Sequence, residues 1–164
     1  MKVLQEESTA AESMKIVGMF RLKIKNSDGT IHGDSGWHTN QVVNLGFNQY
    51  LVSTLGGIAG SKVLTHVMLG SGTAPGAAAT TLEGEVEVRA AGTFATTTGS
   101  KTLDVRATFA SANSFVTNTQ NISNIALGHT STQGAATIFA GNTYASSSCA
   151  TNQSVETTYQ IVFS

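Results

Sequence analysis

The stretch Lys62–Gly76, KVLTHVMLGSGTAPG, limits the choice of fold more than any other part of the chain. Val63, Thr65, Val67 and Leu69 occupy alternate positions, the period of a β-strand. The chain then breaks into Gly70-Ser71-Gly72-Thr73-Ala74-Pro75-Gly76, a glycine turn that holds the only proline. The pattern recurs: Thr65–Thr80 aligns without gaps on Ser123–Ile138. Leu69/Leu127, Gly70/Gly128, Gly76/Gly134, Ala77/Ala135 and Ala78/Ala136 are identical, and Val67/Ile125 is conservative. Two copies are too few for a solenoid, so they read as corresponding strand–turn units of one sandwich.

Other segments repeat the same grammar. In Lys15–Lys25, Phe20, Leu22 and Ile24 alternate with Arg21, Lys23 and Lys25, which predicts a strand with one face in the core. Asn26-Ser27-Asp28-Gly29 is a turn, and Thr30–Ile31 begins a return strand. Further strands are predicted over Glu83–Arg89, Thr93–Thr98, Lys101–Phe109, Phe115–Thr119, Ile122–Leu127, Ala136–Phe139 and Ser154–Phe163. In the last of these, Val155, Thr157, Tyr159 and Ile161 alternate with Glu156, Thr158, Gln160 and Val162. Asn44–Leu55 is the one helical pattern. Leu45, Gln49, Val52 and the pair Leu51/Leu55 fall near one face, Asn44 stands at the cap position, and Gly56-Gly57 stops it. The expected fold is all-β, an antiparallel β-sandwich with jelly-roll-like character, one short helix and an extended N-terminal arm. Residues 1–14 form the arm and residues 15–164 the single domain.

Charge narrows the function. Charged residues make up 12% of the chain against a usual share of about 25%. Only Glu156 is charged within Ala107–Ser164, whereas the segment before Asp28 carries Glu6, Glu7 and Glu12 as well as the cations of the first strand. A charge-poor, small-polar surface suits faces that pack against copies or partners. Glu6, Glu7 and Glu12 on the arm, and Arg21, Lys23 and Lys25 on the solvent side of the first strand, are therefore the candidate contact residues. A net charge of −1 offers no basic field for nucleic acid. No apolar run approaches the ~20 residues of a membrane helix, and acids stand where a signal peptide needs apolar residues. A lone cysteine, Cys149, fits synthesis in a reducing cytoplasm and reads as a small, half-buried strand residue.

The motifs of chemistry are weak. The Gly70–Gly76 loop lacks the Gly-Lys-Ser/Thr of a phosphate loop. His32 and His38 lie six apart around Asp34, unlike a common zinc site, and His66 and His129 flank the two copies of the strand–turn unit. No Gly-x-Ser-x-Gly elbow appears, and Glu83, Glu85 and Glu87 read as a solvated or intersubunit strand face. The expectation is a non-enzyme with no cofactor and no metal.

Several segments together resemble a known group. They are the first strand with its Asn26-Ser27-Asp28-Gly29 turn, and Gln41-Val42-Val43-Asn44-x-Gly46 with Tyr50-Leu51. Thr65-His66-Val67-x-Leu69-Gly70-x-Gly72-Thr73-x-Pro75 follows, then Leu82-x-x-Glu85 with Arg89, and Val155-x-x-Thr158-Tyr159-x-Ile161-x-Phe163. In this order they resemble the small β-rich virion proteins of tailed bacteriophages. The chain departs from that pattern in its charged N-terminal arm and its charge-poor last third. The resemblance implies a virion structural protein made in the bacterial host cytoplasm. A capsid decoration (cement) protein on the outer shell comes first, and a tail, neck or fibre component is the alternative. Its partners would be the major capsid protein or other virion proteins, and further copies of itself, with a cyclic trimer as the first guess. A carbohydrate-binding β-sandwich module is the rival from another class.

Overall fold

The computed structural model describes residues 14–164, so Glu6, Glu7 and Glu12 lie outside the described residues. Ten strands form the body. They are β1 (Ile16–Lys25), β2 (Ile31–Asp34), β3 (His38–Val42), β4 (His66–Gly70), β5 (Ala90–Ala91), β6 (Thr93–Thr96), β7 (Thr102–Phe109), β8 (Gln120–Gly128), β9 (Ile138–Cys149) and β10 (Ser154–Phe163). All pairings are antiparallel, in the order β5-β4-β8-β9-β3-β1-β10-β7-β6, with β2 also on β1. The strand β3 turns the corner between two sheets. Its start pairs with Gly18–Phe20 of β1, and Gln41 and Val42 pair with Gly141 and Ala140 of β9. At the opposite corner the two ends of the order, β5 and β6, are joined through Gly92. The sheet is thus nearly closed and sandwich-like, which leaves few open edges to recruit foreign strands.

Alternation placed the long strands. In β1 the side chains of Phe20, Leu22 and Ile24 are buried, and in β10 those of Val155, Thr157, Tyr159 and Ile161. Phe20 stands directly opposite Tyr159, with ring centroids 5.5 Å apart. The Asn26–Gly29 turn forms as its residues require. Gly29 takes φ +84°, and its N–H donates to Asn26 O at 2.9 Å.

The two copies of the near-repeat are hydrogen-bonded neighbours. Strands β4 and β8 pair with Val67 opposite Leu127, Met68 opposite Ala126 and Leu69 opposite Ile125. Repeat position and pairing position coincide at Met68/Ala126, so a local twofold axis passes between those residues. Hydrogen bonds at equivalent places support it. Thr130 N–H donates to Thr65 Oγ1 at 3.0 Å, and the Ser123 hydroxyl donates to Gly72 O at 3.1 Å. Both strands are buried on both faces. Val67, Leu69, Ile125 and Leu127 enter the main core, while Met68 and Ala126 join a second cluster with Val43, Leu82 and Ile138.

Between β3 and β4 the chain makes a π-helical run, Gly46–Val52, continued by an α-helical turn, Ser53–Leu55. No side chain caps its start, so the expected Asn44 cap does not form. The buried face also differs from the expected one. It is Gly46 and Tyr50, with Leu51 half-buried, whereas Val52 and Leu55 are exposed. The wider π turn, seen in Ser53 N–H donating to Asn48 O, carries those two residues off the core side. Gly46 lies so close to β9 that an added Cβ would stand 2.2 Å from Phe139 O. Tyr50 packs edge-on against Phe139 and donates its hydroxyl to Thr137 O. Burial pushes that phenol up to about 12. Gly46→Ala is expected to cost about 1–2 kcal/mol despite alanine's better helix propensity, because a backbone oxygen cannot step aside. A thermal midpoint equal to that of the parent would contradict this packing.

Two expected strands are absent. Glu83–Arg89 alternates like a strand, but it holds only an isolated bridge, Glu85 to Gly70, and Gly84 takes φ +63°. Of its acids Glu83 and Glu87 are exposed as expected, whereas the Glu85 side chain is buried in an ion pair with Arg89. Phe115–Thr119 is irregular, and its two apolar residues, Phe115 and Val116, plug the core from a loop. Cys149, expected half-buried, is fully buried at the end of β9, and burial raises its thiol to about 11. At pH 8 that leaves roughly two orders of magnitude less thiolate than a free cysteine carries. The folded protein is therefore expected to resist alkylation at pH 8 and to take up one equivalent only when unfolded. Rapid native labelling would contradict the burial.

Candidate functional site

The cations of β1 come together on the outer face of the sheet, as their alternation requires. Arg21 forks onto Asp34 of β2, with Nε to Oδ1 at 2.8 Å and Nη2 to Oδ2 at 2.5 Å. This bidentate pair holds the Asp34 carboxyl down to about 2. Lys25 Nζ donates to Glu156 Oε1 of β10 at 2.6 Å. Glu156 lies directly across from Lys23 in the ladder but turns to Lys25 instead. Among the described residues neither Lys23 nor Arg106 of β7 has an ion-pair partner. These two share a recess of about 250 Å³ with Arg21, Glu156, Thr158 and Trp37, whose indole is 47% exposed. Arg106 escaped the sequence reading because it sits on a strand not adjacent to β1, and Trp37 read only as one of several aromatics scattered over loop, helix and strands.

A second surface lies at the helical end of the body. Phe47, Val52, Leu55, Ile58 and Val63 are exposed by 46–84%, and all belong to the helical run or to the loop that follows it. Beside them an apolar cleft of about 230 Å³ opens between the helix and the ends of β6, β7 and β10. It is lined by Leu51, Val63, Phe94, Leu103 and Phe163, with Lys62 as its one charged residue. The sequence held a signal for this surface. Leu45, Phe47, Leu51, Val52 and Leu55 are more apolar positions than one helix face can bury.

Three of the four histidines have partners of their own. His129 Nδ1 lies 3.0 Å from Val63 O, and His66 Nδ1 lies 2.9 Å from Thr65 Oγ1. Burial pushes His66 down, with Arg89 and His129 adding in the same direction. His38 stacks on Phe20. Among the described residues no three His, Cys, Asp or Glu side chains gather as a metal site would require. None of their helices is long and apolar enough to cross a membrane.

Arg89 is the most heavily used polar residue. Its side chain is fully buried and faces Glu85 through two nitrogens, Nη2 to Oε2 at 3.0 Å. It also donates to His129 O, Thr130 O, Ala135 O and Thr137 Oγ1 at 2.9–3.4 Å. Glu85 Oε2 in turn accepts the N–H of Gly134 at 2.9 Å. The pair pins the loop after β8 onto the segment before β5.

Compared with known proteins, the chain matches no family model, no curated protein and no solved structure.

Proposed function

We propose that this chain is a virion structural protein of a tailed bacteriophage that acts by burying surface against its neighbours, without covalent chemistry. The observation that carries an assembly role is the exposed apolar ridge Phe47–Val63. Large apolar side chains concentrated on one end of a body are the usual mark of a protein–protein contact. The charge-poor sequence agrees with it, since desolvating such surfaces carries little electrostatic cost. The virion setting rests on the resemblance of the strand-and-turn motifs. Within that setting the outer capsid surface comes first, with the major capsid protein as partner, and the tail, neck or fibre second. Quantitative mass spectrometry of purified particles tests this. About one copy for each one to three capsid subunits is the expected result, a few copies would move the protein to the tail, and its absence would overturn the reading.

One observation favours a second reading. Trp37 beside the recess of Arg21, Lys23 and Arg106 offers a stacking face with polar groups around it, as carbohydrate sites do. A glycan array separates the two. Hits lost on Trp37→Ala would favour a sugar-binding module, and a blank array would leave the assembly reading alone.

A further inference from the structure

We infer that the apolar cleft at the helical end receives Val3 and Leu4 of a second copy, so that copies link head to tail. The cleft is apolar and open, and at about 230 Å³ it exceeds the ~150 Å³ that holds a benzene-sized group in a protein interior. It falls below the ~300–1,000 Å³ of common small-molecule pockets, which suits a pair of aliphatic side chains better than a cofactor. Val3 and Leu4 are such a pair.

Charge matches in the same order. The cleft carries Lys62 alone, and it shares Leu103 and Phe163 with a neighbouring recess whose one charged residue is Lys101. A segment with Val3-Leu4 in the apolar part would bring Glu6 and Glu7 beside these lysines. Topology sets where the segment starts. Lys15 exchanges both backbone hydrogen bonds with Ser164, at 2.7 and 2.9 Å, and Ile16 stands opposite Phe163, a residue of the cleft wall. Residues 1–13 therefore leave from the cleft's own end of the body. They contain no Gly, Pro, Asn or Asp, the strongest turn residues, and only weaker ones such as Ser8 and Ser13. Extended, they reach about 40 Å. That reach is long enough to span from one copy to the cleft of a neighbour. Contacts of this kind are heterologous, so they close into rings or run on as filaments.

The contact is read in the purified full-length chain by sedimentation velocity, whatever particle the protein belongs to. Particles that lack the protein would overturn the virion reading and leave this one untouched. The parent is expected to sediment as an oligomer. Val3→Glu/Leu4→Glu is expected to be monomeric with an unchanged melting temperature, and so is Val63→Glu at the cleft rim. An equimolar mixture of these two variants keeps one intact segment and one intact cleft, so it is expected to form dimers and nothing larger. A monomeric parent, a double variant with the parent's mass, or a mixture that stays monomeric would each overturn the inference.

Discussion

Replacing Arg89 by methionine is expected to remove about 3–5 kcal/mol of stability, a large share of the 5–15 kcal/mol typical of a domain. The loss has two sources. Glu85, its side chain only 4% exposed, would keep a buried charge without its partner. The part-buried carbonyls of His129 and Thr130 would lose the Arg89 donor, and Ala135 O would keep only the Thr137 hydroxyl, which adds to the loss. Arg89→Met/Glu85→Leu removes the stranded charge as well, so it is expected to be more stable than Arg89→Met alone, though still below the parent because the carbonyls of His129 and Thr130 remain without the Arg89 donor. Urea midpoints at constant slope measure both. A single variant within about 1 kcal/mol of the parent would mean that water, and not Arg89, serves this loop.

The second large effect belongs to the apolar ridge. Leu55→Lys/Ile58→Lys is expected to leave folding within about 0.5 kcal/mol of the parent, because both side chains are exposed and a lysine suits a helix C-terminus. Association with the partner is expected to weaken by about 2 kcal/mol or more, roughly 30-fold, because the contact would lose apolar burial and would have to desolvate two charges. Co-sedimentation of the variant with particles stripped of the protein gives the number. Parental binding together with a normal melt would remove the ridge from the interface.

How much of this was legible in the sequence depended on what held each element. The strands β1, β7 and β10 have one face in the core and one outside, so their residues alternate, and Ser154–Phe163 was legible to the residue. The second half of β9 carries Asn142, Thr143 and three serines, and it is a strand because β8 pairs with it, which leaves no mark in its own composition. The short β3 is defined by the corner it turns, with different partners at its two ends. Glu83–Arg89 misled for the opposite reason. It has the period of a strand, but the Glu85–Arg89 pair and the positive φ of Gly84 bind it into loops instead.

The candidate site divides in the same way. Arg21, Lys23 and Lys25 were placed on one outer face by period alone, whereas their partners Asp34 and Glu156 come from strands whose neighbourhood only the fold defines. The helical ridge was hidden because an α-helical period assigned Val52 and Leu55 to the core. The π turn reversed that assignment. The near-repeat was visible as sequence, but the twofold axis between Met68 and Ala126 needed the register.

The central claim, that the Phe47–Val63 end is buried in assembly, is tested most directly by Leu55→Cys. Cys149 is buried and almost entirely protonated at pH 8, so alkylation would report position 55 alone. Labelling is compared in dilute isolated chain and in purified particles. The expected result is fast labelling in the isolated chain and at least about tenfold slower labelling in particles, the protection of a buried interface core. Equal rates in the two states would contradict the claim and leave the ridge without a role in assembly.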